Sequence, residues 1–145
     1  MKSSNKLSEF HASLLEFLLT AKQGLMTVAR DYDLTPLQAI TLVLIDSNNP
    51  KPMNAFQKLY NCDASNITGI IDGIEEKGLV VRSELPEDRR VKVILLTQKG
   101  VKLQKILTNS FMEVDHVILK NLTSAELAAF QSIIIKLSRS NITNL

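Results

Sequence analysis

Two short clusters of residues in this chain carry side chains suited to gripping a partner. The first is Ser65, Asn66, Thr68 and Gly69, just downstream of Asp63. Hydroxyl and amide groups both donate and accept hydrogen bonds. Near a helix start they stand beside backbone N–H groups with no intrahelical acceptor, a setting that favours phosphate and base edges. The second cluster, Asp88-Arg89-Arg90, sets a carboxylate beside two guanidinium groups whose planar forks match phosphate oxygens. Covalent chemistry has less to work with. Cys62 is the lone cysteine, and His11 and His116 are the only histidines, so neither a catalytic triad nor a zinc site is expected. A helix start can lower a thiol pKa, but Cys62 reads as a small apolar filler rather than a redox switch. With no glycine-rich phosphate loop or serine elbow either, the chain is read as non-enzymatic, with no cofactor and no metal.

The elements that must hold these clusters follow from spacing. Phe10, Leu14, Phe17, Leu18 and Ala21 recur at three- and four-residue intervals, which predicts a long amphipathic helix from Leu7 to about Ala29. Thr35-Pro36-Leu37-Gln38 has the form of a capping box with proline at the first helical position. That second helix should run to about Ile45, before the turn residues Asn48-Asn49-Pro50. A short helix, Asn54 to Tyr60, is anchored by Phe56 and Leu59, and Asp63 caps the next. There Ile67, Ile70, Ile71 and Ile74 form an inward stripe, and Gly78 supplies a left-handed stop. The period then changes. Leu79 to Glu84 and Val91 to Leu96 read as the strands of a hairpin, with Leu85-Pro86-Glu87-Asp88 as its turn. Thr97 starts a helix reaching about Lys120, and Thr123-Ser124-Ala125-Glu126 boxes a last one carrying Leu127, Phe130, Ile133, Ile134 and Leu137. The fold class is mainly α with one β-hairpin.

Bulk properties narrow the function. Forty-five per cent apolar and 22% charged residues describe an ordinary folded domain, and 145 residues suffice for one domain with a real core. The polar stretch Met1 to Glu9 is no secretory signal, and no 18-residue apolar run exists, so a cytoplasmic protein without membrane contact is expected. Net charge is only +2. Between Lys51 and Lys92 seven cations meet seven anions, so recognition of a polyanion must rest on where charges point. Asp72, Glu75 and Glu76 on the capped helix oppose phosphate, and are expected either to pair with Lys77, Arg82 or Arg89 or to accept from cytosine. Lys99, Lys102 and Lys105 read as a solvated helix face.

A short helix, tight turn, second helix and hairpin in this order make a winged helix-turn-helix pattern. The stretch Phe56 to Asp72, continued by Glu75-Glu76-Lys77-Gly78-Leu79-Val80, resembles the helix-turn-helix of MarR-family regulators. Asp88-Arg89-Arg90 followed by Leu96-Thr97 and Gly100 resembles the family's wing signature. The similarity spans roughly residues 30 to 105. It implies that the helix after Asp63 enters the major groove of double-stranded DNA, with Ser65, Asn66, Thr68, Gly69 and Asp72 facing it and Asn54 contributing from the short helix. It implies that Arg90 enters the minor groove, oriented by Asp88, while Arg89 meets phosphate. A narrow A·T-rich groove concentrates negative potential, so one well-held guanidinium can outweigh a neutral local count.

The resemblance also implies a single MarR-type domain over 1–145, with dimerisation helices at 1–30 and 105–145 flanking a DNA-binding region at 31–104. Leu7, Phe10 and Leu14 at one end, and Ile118, Leu119, Leu122, Leu127, Phe130, Ile133, Ile134, Ile135 and Leu137 at the other, would interdigitate across a twofold in a homodimer reading a palindromic operator. A small lipophilic or aromatic effector is implied, with Phe10, His11, Leu14, Phe17, Ile40 and Thr41 as candidate pocket residues. The expected function is a DNA-binding transcription regulator acting as a repressor. The alternative is a winged-helix module that binds protein instead of DNA.

Overall fold

The computed structural model describes residues 2–138, with side chains described from Ser8 onward. Eight elements follow one another: α1 (Lys2–Asp31), α2 (Pro36–Leu44), α3 (Met53–Tyr60), α4 (Ala64–Glu76), β1 (Val80–Glu84), β2 (Lys92–Leu96), α5 (Gln98–Leu119) and α6 (Ser124–Leu137). They agree in order and type with the sequence reading, and most ends fall within two residues of it; α1 starts five residues earlier. The side chain of Leu7 lies outside the described residues.

The helix starts are made as their sequences dictate. Thr35 and Gln38 cap α2 reciprocally, with the Thr35 N–H donating to Gln38 Oε1 at 3.0 Å and the Gln38 N–H to Thr35 Oγ1 at 3.3 Å. Thr123 and Glu126 do the same for α6. Asp63 Oδ1 accepts from the Asn66 N–H at 2.9 Å and starts α4. Asn61, at φ 47°, makes the tight turn between α3 and α4.

The chain divides into two compact units, one up to Met112 and one from Glu113. In the first, Leu34, Ala39, Leu42, Phe56, Ile67, Ile71, Ile74, Val80, Val93, Ile94 and Leu107 form a closed core. Two expected anchors behave differently: Leu59 is 58% exposed, and Ile70 is only half-buried, at the edge of its stripe. With Phe56 already filling the core from the short α3, Leu59 faces outward. The hairpin is antiparallel, from Val80 opposite Leu96 to Glu84 opposite Lys92. An isolated bridge from Pro52 to Val93 ties the loop before α3 to the hairpin. In the second unit, α6 buries no residue: Leu127, Ile133, Ile134, Ile135 and Leu137 are all exposed.

Candidate nucleic-acid interface

The inward isoleucines of α4 decide what its other face presents. Ile67, Ile71 and Ile74 are fully buried, so the 3.6-residue period turns Ser65, Asn66, Thr68 and Gly69 outward, and all four are exposed. Ser65 Oγ donates to the capping Asp63 carboxylate at 2.8 Å and Thr68 Oγ1 to the Ala64 carbonyl at 2.9 Å, which leaves the hydroxyl oxygens free to accept. The Asn66 N–H, and then the Ser65 hydroxyl, hold the Asp63 carboxyl below its usual range, so the cap stays ionised at neutral pH. A Cβ at Gly69 would meet no atom within 4 Å, so this stretch of α4 is open to close approach. Asn54 is exposed on α3.

At the hairpin tip Arg90 is held like a lever arm. Its Nε and Nη2 donate to the two carboxylate oxygens of Asp88 at 3.1 and 3.3 Å, and its backbone N–H donates to Asp88 Oδ1 at 3.0 Å. The Arg90 side chain nonetheless remains 91% exposed. These bonds keep the Asp88 carboxyl below its normal range, the side-chain bond foremost. An exposed ion pair of this kind contributes little to stability; its effect is to restrict where the guanidinium points. Arg89 is exposed beside it.

The acidic residues of α4 are dealt with from the first strand. Arg82 Nη2 bonds Asp72, Arg82 Nη1 bonds Glu75, and the Arg82 backbone N–H donates to Glu75 Oε1 at 3.1 Å. Asp72, expected to face DNA, is thus turned toward β1 and half-covered. Lys77 pairs with Asp33 beyond α1 rather than with an α4 carboxylate, at 2.6 Å, and Arg89 pairs with neither. Glu76 is left exposed.

Where the hairpin joins α5, the structure explains residues that sequence reading could only match to a pattern. The Thr97 N–H donates to the Leu79 carbonyl at 3.0 Å, Thr97 Oγ1 donates to the Gly78 carbonyl at 2.8 Å, and the Gly100 N–H donates to Thr97 Oγ1 at 3.0 Å. A Cβ at Gly100 would lie 1.9 Å from the Leu79 carbonyl oxygen, so only glycine permits this contact. Gly78, at φ 68°, turns the chain from α4 into β1. Lys99 Nζ donates to the Lys77 carbonyl at 2.7 Å, closing the end of α4; it is a cap rather than part of a solvated face. Gln104, which no spacing rule singles out, donates from α5 to the Leu42 and Ile45 carbonyls, both at 2.7 Å, at the end of α2.

The candidate effector residues are scattered. Phe10, His11 and Leu14 are exposed on α1, and Phe17 and Ile40 are half-buried. Thr41 is fully buried, donating to the Leu37 carbonyl at 2.6 Å and accepting from the Tyr60 hydroxyl at 2.8 Å. Burial raises the Tyr60 pKa and keeps that hydroxyl protonated. None of the six lines either of two recesses among the described residues of the first unit. One, of about 470 Å³, is lined by Gln23, Met26, Thr27, Arg30, Leu34 and Pro36. The other, of about 280 Å³, is lined by Leu37, Tyr60, Cys62, Asn66 and Ile70. Cys62 is therefore half-exposed at a recess wall and not buried as expected.

The α3–turn–α4–hairpin order defines a winged helix-turn-helix fold, with an exposed polar helix face and a guanidinium held out at the hairpin tip. Residues 34–92 match the sequence model of the MarR family. It is 27% identical over 100 residues to an uncharacterised HTH-type transcriptional regulator of Bacillus subtilis, YfiV, covering 69% of this chain and 62% of that protein. It is 26% identical over 113 residues to the HTH-type transcriptional repressor NicR of Pseudomonas putida, covering 78% of this chain and 72% of the repressor. Its fold matches that of a mutant MarR from E. coli solved in complex with operator DNA, with a TM-score of 0.74 and 21% identity over 92% of this chain and 96% of that one.

Proposed function

We propose that this chain is a transcription regulator that binds a palindromic duplex as a homodimer, α4 reading the major groove and Arg90 the adjacent minor groove. The observation that carries the reading is the pairing of two exposed elements on one compact unit. The Ser65–Gly69 face of α4 offers hydrogen-bonding groups without bulk, and Asp88 holds Arg90 in a limited set of orientations. Phosphate contacts from Arg89 and the N-terminal N–H groups of α4 fix the register, and base contacts from Ser65, Asn66 and Thr68 discriminate. Asn54 adds a contact from α3. Because the local charge is balanced, affinity is moderate, and it falls steeply with salt because it depends on the exposed cations meeting phosphate.

Dimerisation is supported by the apolar side chains that a single chain leaves in water. Phe10, Leu14, Leu15 and Leu18 on α1, and Leu127, Ile133 and Ile134 on α6, are exposed, and α1 and α6 serve as the dimerisation helices on either side of the DNA-binding region. We assign the chain to repression in the cytoplasm, relieved by a small lipophilic or aromatic effector, and no catalytic step. No described helix is long and apolar enough to cross a membrane.

The test is a mobility shift on duplexes selected from a random library, with wild-type chain and Arg90→Ala. Selection should return a palindrome, and Arg90→Ala should weaken its binding roughly 5- to 150-fold, the worth of one groove contact. Failure of the wild-type chain to bind any duplex at low salt removes the reading.

A further inference from the structure

We infer that Arg82 is a positioning residue for DNA recognition: it locks the wing to the recognition helix at the angle that lets Arg90 and the Ser65–Gly69 face engage one duplex. The inference rests on the DNA-binding reading and adds to it a residue that touches no DNA. Three observations carry it. First, the link between α4 and β1 is only Lys77-Gly78-Leu79, and it turns at a left-handed glycine. The Leu79 carbonyl is held by the Thr97 N–H at the hairpin root, and the Pro52–Val93 bridge ties β2 to the loop before α3, but neither contact joins the hairpin to α4. Second, Arg82 lies further along β1 and reaches back to α4 through three donors: Nη2 to Asp72, Nη1 to Glu75 and the backbone N–H to Glu75 Oε1. Asp72 and Glu75 are three residues apart, so they lie on one helix face and the planar guanidinium spans both. Third, the guanidinium is largely covered, with 29% of the Arg82 side chain exposed, whereas the Asp88–Arg90 pair at the tip stands in solvent. A half-covered, two-carboxylate pair keeps its geometry better than a solvated one.

The length of the hairpin makes this grip matter. Arg82 stands opposite Ile94, so Arg90 lies four positions further along the hairpin, roughly 14 Å at strand rise, and a tilt of about 10° would move it by about 2.4 Å, a large part of a hydrogen-bond length. The same contact removes a charge problem, since Asp72 and Glu75 would otherwise face phosphate unneutralised.

Positioning and neutralisation predict different outcomes, and one set of variants separates them. Binding is measured for wild type, Arg82→Ala, Arg82→Lys and the triple variant Arg82→Ala/Asp72→Asn/Glu75→Gln. Each is tested on the palindrome selected by the wild-type chain and on a scrambled duplex of equal length, with both minor-groove and major-groove footprinting of the bound palindrome. Positioning predicts that Arg82→Ala lowers the specific-to-scrambled ratio by at least about tenfold, the worth of one base contact, and loses the Arg90 footprint while the α4 footprint stays. The triple variant, although its carboxylates are gone, stays at the low ratio, and Arg82→Lys, a point charge without a fork, falls between. A triple variant that regains the wild-type ratio overturns the inference in favour of neutralisation, as does an Arg82→Ala protein with an unchanged ratio and intact wing footprint. If Arg82→Ala does not fold, as judged by circular dichroism, Arg82→Lys decides by the same ratio and footprint. Loss of binding by the wild-type chain would strike the DNA reading itself, a separate result.

Discussion

The unit up to Met112 and the helix α6 spend their apolar residues in opposite ways. In the first, every fully buried apolar side chain falls between Val28 and Leu107, and the three stripe isoleucines of α4 have no accessible surface. In α6 nine of fourteen residues are apolar, a larger share than in the first unit, yet none is buried. Burial of a Leu or Ile is worth about 1.5–3 kcal/mol relative to exposure, so an uncovered α6 forgoes several such terms. The first region is a folding unit whose surface is left for recognition; α6 presents an apolar face that the proposed second copy would cover. On the proposed function, the part that reads DNA is stabilised by its own core, and the part that sets the spacing of two readers depends on concentration.

That contrast can be broken in order of expected effect. Placing charges on the exposed apolar face, as in Leu127→Asp/Ile134→Asp, should convert the protein to a monomer in sedimentation. It should also weaken palindrome binding by at least about 100-fold, because one half-site no longer helps to hold the other. The far-ultraviolet dichroism of the first unit should survive. A sedimenting dimer in that variant would end the contrast. Within the first unit, Ile71→Ala should lower unfolding free energy by about 2–5 kcal/mol in urea titrations, the range for a fully buried aliphatic truncation. Gln104→Leu sharpens the comparison from inside: it should cost about 1–3 kcal/mol, because the covered Leu42 and Ile45 carbonyls lose their donor. A loss close to zero there would mean that water replaces the glutamine.

The smallest effect is on pH. Asp63 and Asp88 have carboxyl pKa values lowered in the folded chain, by the Asn66 N–H and by Arg90 respectively. A lowered folded pKa means the contribution is complete above the unfolded value and is lost as pH falls through the folded one. Duplex affinity should therefore be flat from pH 6 to 8 as far as these groups are concerned, and decline only below about pH 4. Asp63→Asn, a residue that still caps a helix, should remove much of the part of that decline owed to the cap.

Helix and strand identities were legible because they rest on local rules: 3.6-residue apolar spacing, two reciprocal capping boxes, Asp63 as a cap and Gly78 as a stop. The isoleucine stripe predicts Ser65, Gly69, Asp72 and Glu76 outward with Asn66 and Thr68 on the flanks, and all of these but Asp72 are exposed, since fixing one helix face largely fixes the other. Three features were less accessible. Leu59 has the residue type of an anchor, but whether it is buried depends on what packs against a helix only eight residues long. The partner of Asp72 was open among several cations, because the choice depends on the tilt of a hairpin. Gln104 and Lys99 serve carbonyls 59 and 22 residues away in sequence, and no spacing rule reaches that far.

By itself the sequence determined which segments are helix or strand and which faces are apolar, because backbone geometry and short-range capping act within a few residues. The tertiary structure alone decided which cation meets which anion, which aliphatic side chain is covered and why Gly100 must be glycine. Those outcomes depend on the approach of elements far apart in the chain, where a change of an ångström decides whether a bond forms or a methyl group clashes.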